Sequence, residues 1–150
     1  IGNDSVPILS PETVGAILKA KGKGIRDGSY GDPSTVPFEI WERLHKAAGT
    51  YHTGYTHQWM ESWFDPQAFT YDMASVDDTN TVEKLRELFP DARYYRMAKD
   101  PNDIRPGEIK CPSDPNDRDA IGNRKVQCAT CKLCAGMSIK AKNIVIVEGK

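Results

Sequence analysis

Four cysteines carry the most specific chemistry in this sequence: Cys111, Cys128, Cys131 and Cys134. Three of them fall in the run Cys128-Ala-Thr-Cys131-Lys-Leu-Cys134, and no cysteine precedes Cys111. Cysteines meant for disulfides more often tie distant parts of a chain together. One outlying thiol facing a tight group of three suits the wrapping of a single metal centre. The C-x2-C-x2-C run is the first part of the bacterial ferredoxin pattern, whose thiolates hold corners of a [4Fe–4S] cluster. Cys111-Pro112 has the form of that pattern's remote ligand, although here it precedes the triplet. Zinc is the rival cofactor, but structural zinc usually takes two separated pairs, each gripping one edge of a tetrahedron. Two disulfides, or free thiols, are a third reading. The spacing favours the cluster, with all four cysteines as ligands. Either metal requires thiolates, so a reducing bacterial cytoplasm is expected. Arg124, Lys125 and Lys132 lie close in sequence and would favour thiolates and a negatively charged cluster, or else belong to a solvated loop.

A second set of polar and aromatic residues falls where strands are expected to end: Tyr30 with Asp32, the run Tyr55-Thr-His-Gln-Trp59, and Ser75 with Asp77. Ligands of parallel sheets bind beyond the carboxyl ends of strands. His57, Asp32 and Asp77 are therefore candidate catalytic residues, able to supply an acid, a base and hydrogen bonds. The competing role for both aspartates is capping the helices that follow, which is the commoner use of such residues. His52 and His57 are five apart and would face opposite sides of one strand, so they make no metal pair. His45 sits at helical spacing and reads as a packing or surface residue. Tyr51, Tyr55, Trp59 and Trp63 could stack nucleobases. Lys140, Lys142 and Lys150 read as solvated charges.

The elements that must position these groups are legible in outline. An irregular start over residues 1–10 leads to Ser10-Pro11-Glu12, which supplies an N-cap, a first-turn proline and an acidic first turn, and predicts a helix to about Lys19. Gly22, Gly24 and Gly28 follow, and a strand end runs into the turn Gly28–Pro33. Pro37 opens a helix carrying Phe38, Trp41, Leu44, His45 and Ala48, which Gly49 closes. Tyr51–Trp59 predicts a strand, Trp63–Phe69 an aromatic helical turn, and Phe69–Val76 another strand. Asn80 and Glu83 resemble a capping box for a helix with Val82, Leu85, Leu88 and Phe89. Arg93–Met97 predicts a strand and residues 100–127 a long loop, a kind that is usually functional. Asn143-Ile-Val-Ile-Val147 predicts a strand buried on both faces. The pattern is a single α/β domain over residues 1–150. Its sheet is mostly parallel, partial-barrel-like or open, with flanking helices and a metal-binding loop region at 100–142 before the last strand.

Size and charge narrow the function further. The 150 residues suit one domain, and they are too few to close an eight-stranded barrel of at least about 200. The formal net charge is -1, from 20 basic and 21 acidic residues, so neither a membrane surface nor a nucleic acid is supported as a partner. No apolar run approaches the roughly 18 residues of a membrane span, and no signal peptide is visible. The chain begins at Ile1 rather than Met, so a longer parent protein is expected.

Several of these motifs recur together, in the same order, in a known family. Gly28-Ser-Tyr-Gly-Asp-Pro-Ser-Thr-Val-Pro37, Trp41, Gly54-Tyr-Thr-His-Gln-Trp59, Met73-Ala-Ser-Val-Asp77, Cys111-Pro112, the Cys128–Cys134 run and Asn143–Val147 resemble those of a group of uncharacterised phage and prophage proteins akin to the gene-product-eighty-eight family. The resemblance spans about residues 25–150. It implies a phage or prophage origin and a C-terminal four-cysteine metal site. Longer relatives carry a further cysteine-rich segment upstream, loosely similar to the cluster motifs of radical enzymes, which this chain lacks. The leading expectation is an iron–sulfur protein whose cluster serves electron transfer to a partner protein, redox sensing or structure. A zinc-stabilised nucleic-acid module and a cluster-dependent enzyme with a pocket at the strand ends are the other two.

Overall fold

The structure is a computed structural model that describes residues 7–114 and 116–148. Of the irregular start expected at 1–10, residues 7–10 are described and carry no regular structure; Lys150 lies outside the described residues. Helix α1 (Pro11–Ala20) begins as its sequence predicts, with the Ser10 hydroxyl accepting from the Thr13 amide at 3.2 Å. Strand β1 (Ile25–Arg26) runs into a turn where Gly28 and Gly31 both adopt positive φ, and Asp32 then caps a 3-10 turn over Pro33–Thr35. Helix α2 (Phe38–Ala48) ends at Gly49 in the left-handed conformation and packs on α1. That contact is close: a Cβ on Gly15 of α1 would stand 2.6 Å from the Ala47 Cβ.

The single strand expected at 51–59 is instead two short ones, β2 (His52–Thr53) and β3 (Tyr55–Thr56), broken at Gly54. β2 pairs with β1, and β3 with β4 (Met73–Val76), so one run of chain serves two sheets. The break needs glycine because any Cβ there would lie 1.7 Å from Asp72 Oδ1. β4 also starts later than expected, because Phe69 belongs to a 3-10 turn over Pro66–Thr70. Helix α3 (Thr79–Leu88) is capped by Asp78, which accepts from the Thr81 amide at 2.8 Å, and not by Asn80.

After β5 (Tyr94–Ala98) the expected long loop contains a strand, β6 (Glu108–Lys110). Its three residues are too few to show a period. A one-turn helix, α4 (Cys128–Cys131), and β7 (Asn143–Val147) complete the order. The five-stranded sheet runs β3-β4-β5-β7-β6, and every strand pairing in both sheets is parallel. The domain is α/β with flanking helices and an open sheet, not a closed barrel.

Because side chains alternate across a strand, the sheet has two distinct faces. One carries Ala74, Val76 and Tyr94, which form the core with Trp59, Phe64, Phe69, Val82 and Leu85. The other carries Tyr55, Ser75, Tyr95, Met97 and Ile146 and looks into a cavity.

Two arginines near β5 brace what lies beyond it. Arg96 is 1% exposed and forks onto both oxygens of Glu108, with Nε–Oε1 and Nη2–Oε2 each 2.7 Å; it also donates to the side chain and carbonyl of Asp103. Tyr94 Oη and the Arg105 amide complete the hydrogen bonding of Glu108. Removing one partner of a buried pair strands the other charge, at a cost of about 3–5 kcal/mol. Arg96→Leu should therefore destabilise the domain by about that amount in urea unfolding, and Arg96→Lys, which loses the fork, by a smaller part of it. Equal stability of wild type and Arg96→Leu would count against this brace.

Candidate functional site

The cavity has a volume of about 670 Å³ and lies at the carboxyl ends of the parallel strands. All four cysteines line it, and all four are free thiols. They arrive by separate routes. Cys111 directly follows β6, and its amide donates to the Val145 carbonyl at 2.7 Å, which ties it to β7. Cys128 and Cys131 stand at the two ends of α4. Lys132 then takes a left-handed conformation (φ 58), the only non-glycine residue to do so among those described, and this ends α4 and turns the chain back toward the sheet. Cys134 is fixed there by its carbonyl, which accepts from the Gly54 amide at 3.3 Å.

Past Cys134 the chain is clamped. Arg93 donates to the Gly136 carbonyl at 2.8 Å and to the Lys142 carbonyl at 2.6 Å. A Cβ on Gly136 would come within 2.6 Å of the Phe69 carbonyl oxygen, so only glycine permits this approach.

The thiols sit in a partly desolvated place. Burial pushes the Cys134 thiol up to about 11 and raises Cys111 also, with the neighbouring thiols adding to both. A hydrogen bond from Tyr55 works in the opposite direction on Cys134. Cys128 is exposed, and its thiol faces the buried Ser113 hydroxyl at 3.5 Å. Arg26, Arg124 and Lys132 stand on the cavity wall, whereas Lys125 is engaged with Asp117 at 2.7 Å. Among the described residues, no three His, Cys, Asp or Glu side chains lie close enough to hold one metal ion as they stand.

The three catalytic candidates separate. His57 and Asp77 line the cavity with the cysteines; Asp32 does not. The Asp32 carboxylate is consumed by the Ser34 amide and hydroxyl, the Thr56 hydroxyl and the His57 amide, bonds that together hold its pKa down despite burial. Asp32 is thus a cap that also holds β3 and the His57 backbone. Asp77, by contrast, caps no helix, since its neighbour Asp78 has that role. The aromatic set does not form one platform: Tyr51 and Tyr55 line the cavity, while Trp59 is buried in the core with its indole N–H on the Ser75 carbonyl at 2.9 Å. The two expected solvated lysines that are described, Lys140 and Lys142, are exposed.

A buried polar cluster stands behind this site, and it was not foreseen. His45 is 7% exposed; its Nε2 lies 2.9 Å from Asp27 Oδ2 and its ring stacks on Tyr71 with centroids 4.1 Å apart. The His52 ring is 4.5 Å from that of His45, and its Nε2 meets the Ser138 hydroxyl at 3.1 Å. Asp27 and Asp72 both lie against Gly54, and one buried oxygen of each, Oδ1, has no hydrogen-bond partner. Alternation of residue types cannot reveal such a cluster, because its members come from β1, α2, β2 and the turn before β4. The one available signal was Gly54 within an otherwise β-forming run.

Comparison with protein-family models, with curated proteins and with solved structures finds no match for this chain. No helix among the described residues is long and apolar enough to cross a membrane.

Two outcomes follow. Burial and the Asp27 charge push Asp72 from 3.8 up to about 8, so between those values the folded chain holds a proton that the unfolded chain has released. Folding stability should fall as pH rises from about 5 to about 8 and level off above. Asp72→Asn, which removes the titrating carboxyl, should flatten that decline in pH-resolved denaturation. In the metal-free protein at mildly alkaline pH, iodoacetamide should modify exposed Cys128 well before Cys134, as read by peptide mass spectrometry.

Proposed function

We propose that this chain is a metal-binding α/β protein in which Cys111, Cys128, Cys131 and Cys134 together hold one [4Fe–4S] cluster. The observation that carries this reading is that four free thiols, from a strand end and from a separate turn, all line one cavity. A further fact supports it: the cations Arg26, Arg124 and Lys132 around the cavity suit a centre with net negative charge. The raised thiols must release protons on loading, so uptake should be favoured by alkaline conditions.

The cluster would supply one-electron chemistry, or a structural clamp, to a protein of the cytoplasm. Its origin in a phage or prophage rests on the motif resemblance alone. Electron transfer to a partner protein or redox sensing suits the site best. His57 and Asp77, which line the same cavity, leave a cluster-dependent enzyme as the second reading.

Protein purified without oxygen should be brown and hold about four irons per chain. Each of the four cysteine-to-alanine variants should lose most of that iron. Colourless protein with one tightly held zinc would sink the cluster reading.

A further inference from the structure

The cavity holds charges that the chain does not itself neutralise. Arg43, Arg86, Arg93, Arg96 and Arg118 each donate to a carboxylate or a carbonyl. Arg26, at the end of β1, and Arg124, in the cysteine segment, line the cavity instead, and neither side chain has a hydrogen bond or an ion pair among the described residues. Lys132 is the third cation of the lining. Its Nζ stands 5.4 Å from the centroid of the Tyr51 ring, a contact that leaves the charge without an anion. The one carboxylate among the described lining residues is Asp77, just past β4, and it too is unpaired. Opposite charges that share a cavity and form no pair stand beyond ion-pair distance of each other. Such a lining suits a ligand with an anion at one place and hydroxyls or amines at another.

The rest of the lining is consistent with that. Tyr51 sits on the backbone at Gly24, where a Cβ would collide with its ring. Tyr55 and Tyr95 hold each other edge to face, with centroids 5.0 Å apart. These rings are fixed before a ligand arrives and offer it aromatic surface. A volume of about 670 Å³ falls within the roughly 300–1,000 Å³ of small-molecule sites, and the carboxyl ends of parallel strands are where such ligands bind.

We propose that the cavity binds a nucleoside monophosphate, its phosphate on Arg26, Arg124 and Lys132, its base against the tyrosine rings and its sugar hydroxyls on Asp77. Three cations exceed what a singly charged carboxylate needs, and guanidinium forks match phosphate oxygens. The chain as a whole has a formal net charge of -1, so the positive charge here is local and offers no long basic track for a polymer. This inference goes beyond the cluster reading and does not rest on it, since every group named belongs to the chain itself.

The test titrates AMP, GMP, CMP and UMP separately into protein purified without oxygen, by calorimetry, with metal content measured alongside. At least one should bind, and more weakly as salt is raised. Its nucleoside and inorganic phosphate should each bind at least about 10-fold more weakly. Arg26→Gln and Asp77→Asn should each lose about 10-fold in affinity, while Lys84→Gln, an exposed change on α3, matches wild type. Binding of none of the four would overturn the proposal, as would unchanged affinity in Arg26→Gln or inorganic phosphate that binds as tightly. A short single-stranded RNA that binds more tightly than any mononucleotide would overturn it in favour of a nucleic-acid interface. Arg26 and Asp77 are exposed, so both variants should fold. Should either not fold, the nucleoside, phosphate and salt comparisons on the unmutated protein decide. Iron-loaded protein that binds none of the four overturns this inference and leaves the cluster reading standing. Metal-free protein that binds one upholds it and defeats the cluster reading.

Discussion

The buried fork between Arg96 and Glu108 is the interaction on which the cysteine site depends. β6 is an edge strand of three residues with one apolar side chain, so it has little hydrophobic surface to hold it in place. The guanidinium reaches it from β5, two strands away across β7. Two charges taken out of water cost several kcal/mol each unless nearly every hydrogen bond is met. Here they are met: both Glu108 oxygens accept from Arg96, and Tyr94, Arg105 and Asp103 take the remaining positions. The pair gives more than adhesion, because its planar two-bond geometry permits only one placement of β6. The next residue but two after Glu108 is Cys111, so that placement also locates the outlying thiol.

Arg93 performs the matching service at the other end. Its guanidinium binds carbonyls of Gly136 and Lys142, where the cysteine segment returns to the sheet. Two arginines three residues apart thus brace both ends of a segment of roughly thirty residues whose described part holds only a one-turn helix and a short 3-10 turn of its own. A stretch so rich in Pro, Asp and Gly cannot bury enough apolar surface to order itself. It is ordered by fixed charges below it and, on the reading favoured here, by a metal within it. The sheet supplies the rest. Parallel strands align their carboxyl ends, and alternation sends Tyr55, Ser75, Tyr95 and Met97 toward the thiols while Ala74, Val76 and Tyr94 pack the core.

Much of this was legible along the chain wherever a feature is local. Ser10-Pro11 starts a helix through its own hydroxyl and its own ring, Gly49 stops one through its own φ, and the apolar run at 143–147 announces a strand covered on both faces. The thiols were legible for the same reason: three lie within seven residues, and coordination chemistry limits what such spacing can do. The misreadings have a common cause. A single strand at 51–59 became two because Asp72, remote in sequence, lies against Gly54. Asp32 could be read as a cap or as a catalytic acid, and Thr56 and His57, 24 and 25 residues away, occupy its oxygens and leave it the cap.

By itself the sequence determined the α/β class, the parallel sheet, the helix boundaries set by caps and glycines, and the tight spacing of three of the four cysteines. Only the tertiary structure decided that the four share a cavity, that His57 and Asp77 join them while Asp32 does not, and that Asp27, His45 and Asp72 are buried near one another. The physical reason is range. Caps, turns and residue periods act over a few positions and are written in consecutive letters. Burial, buried charge and convergence of thiols depend on which distant residues the sheet order makes neighbours, and no local pattern encodes that.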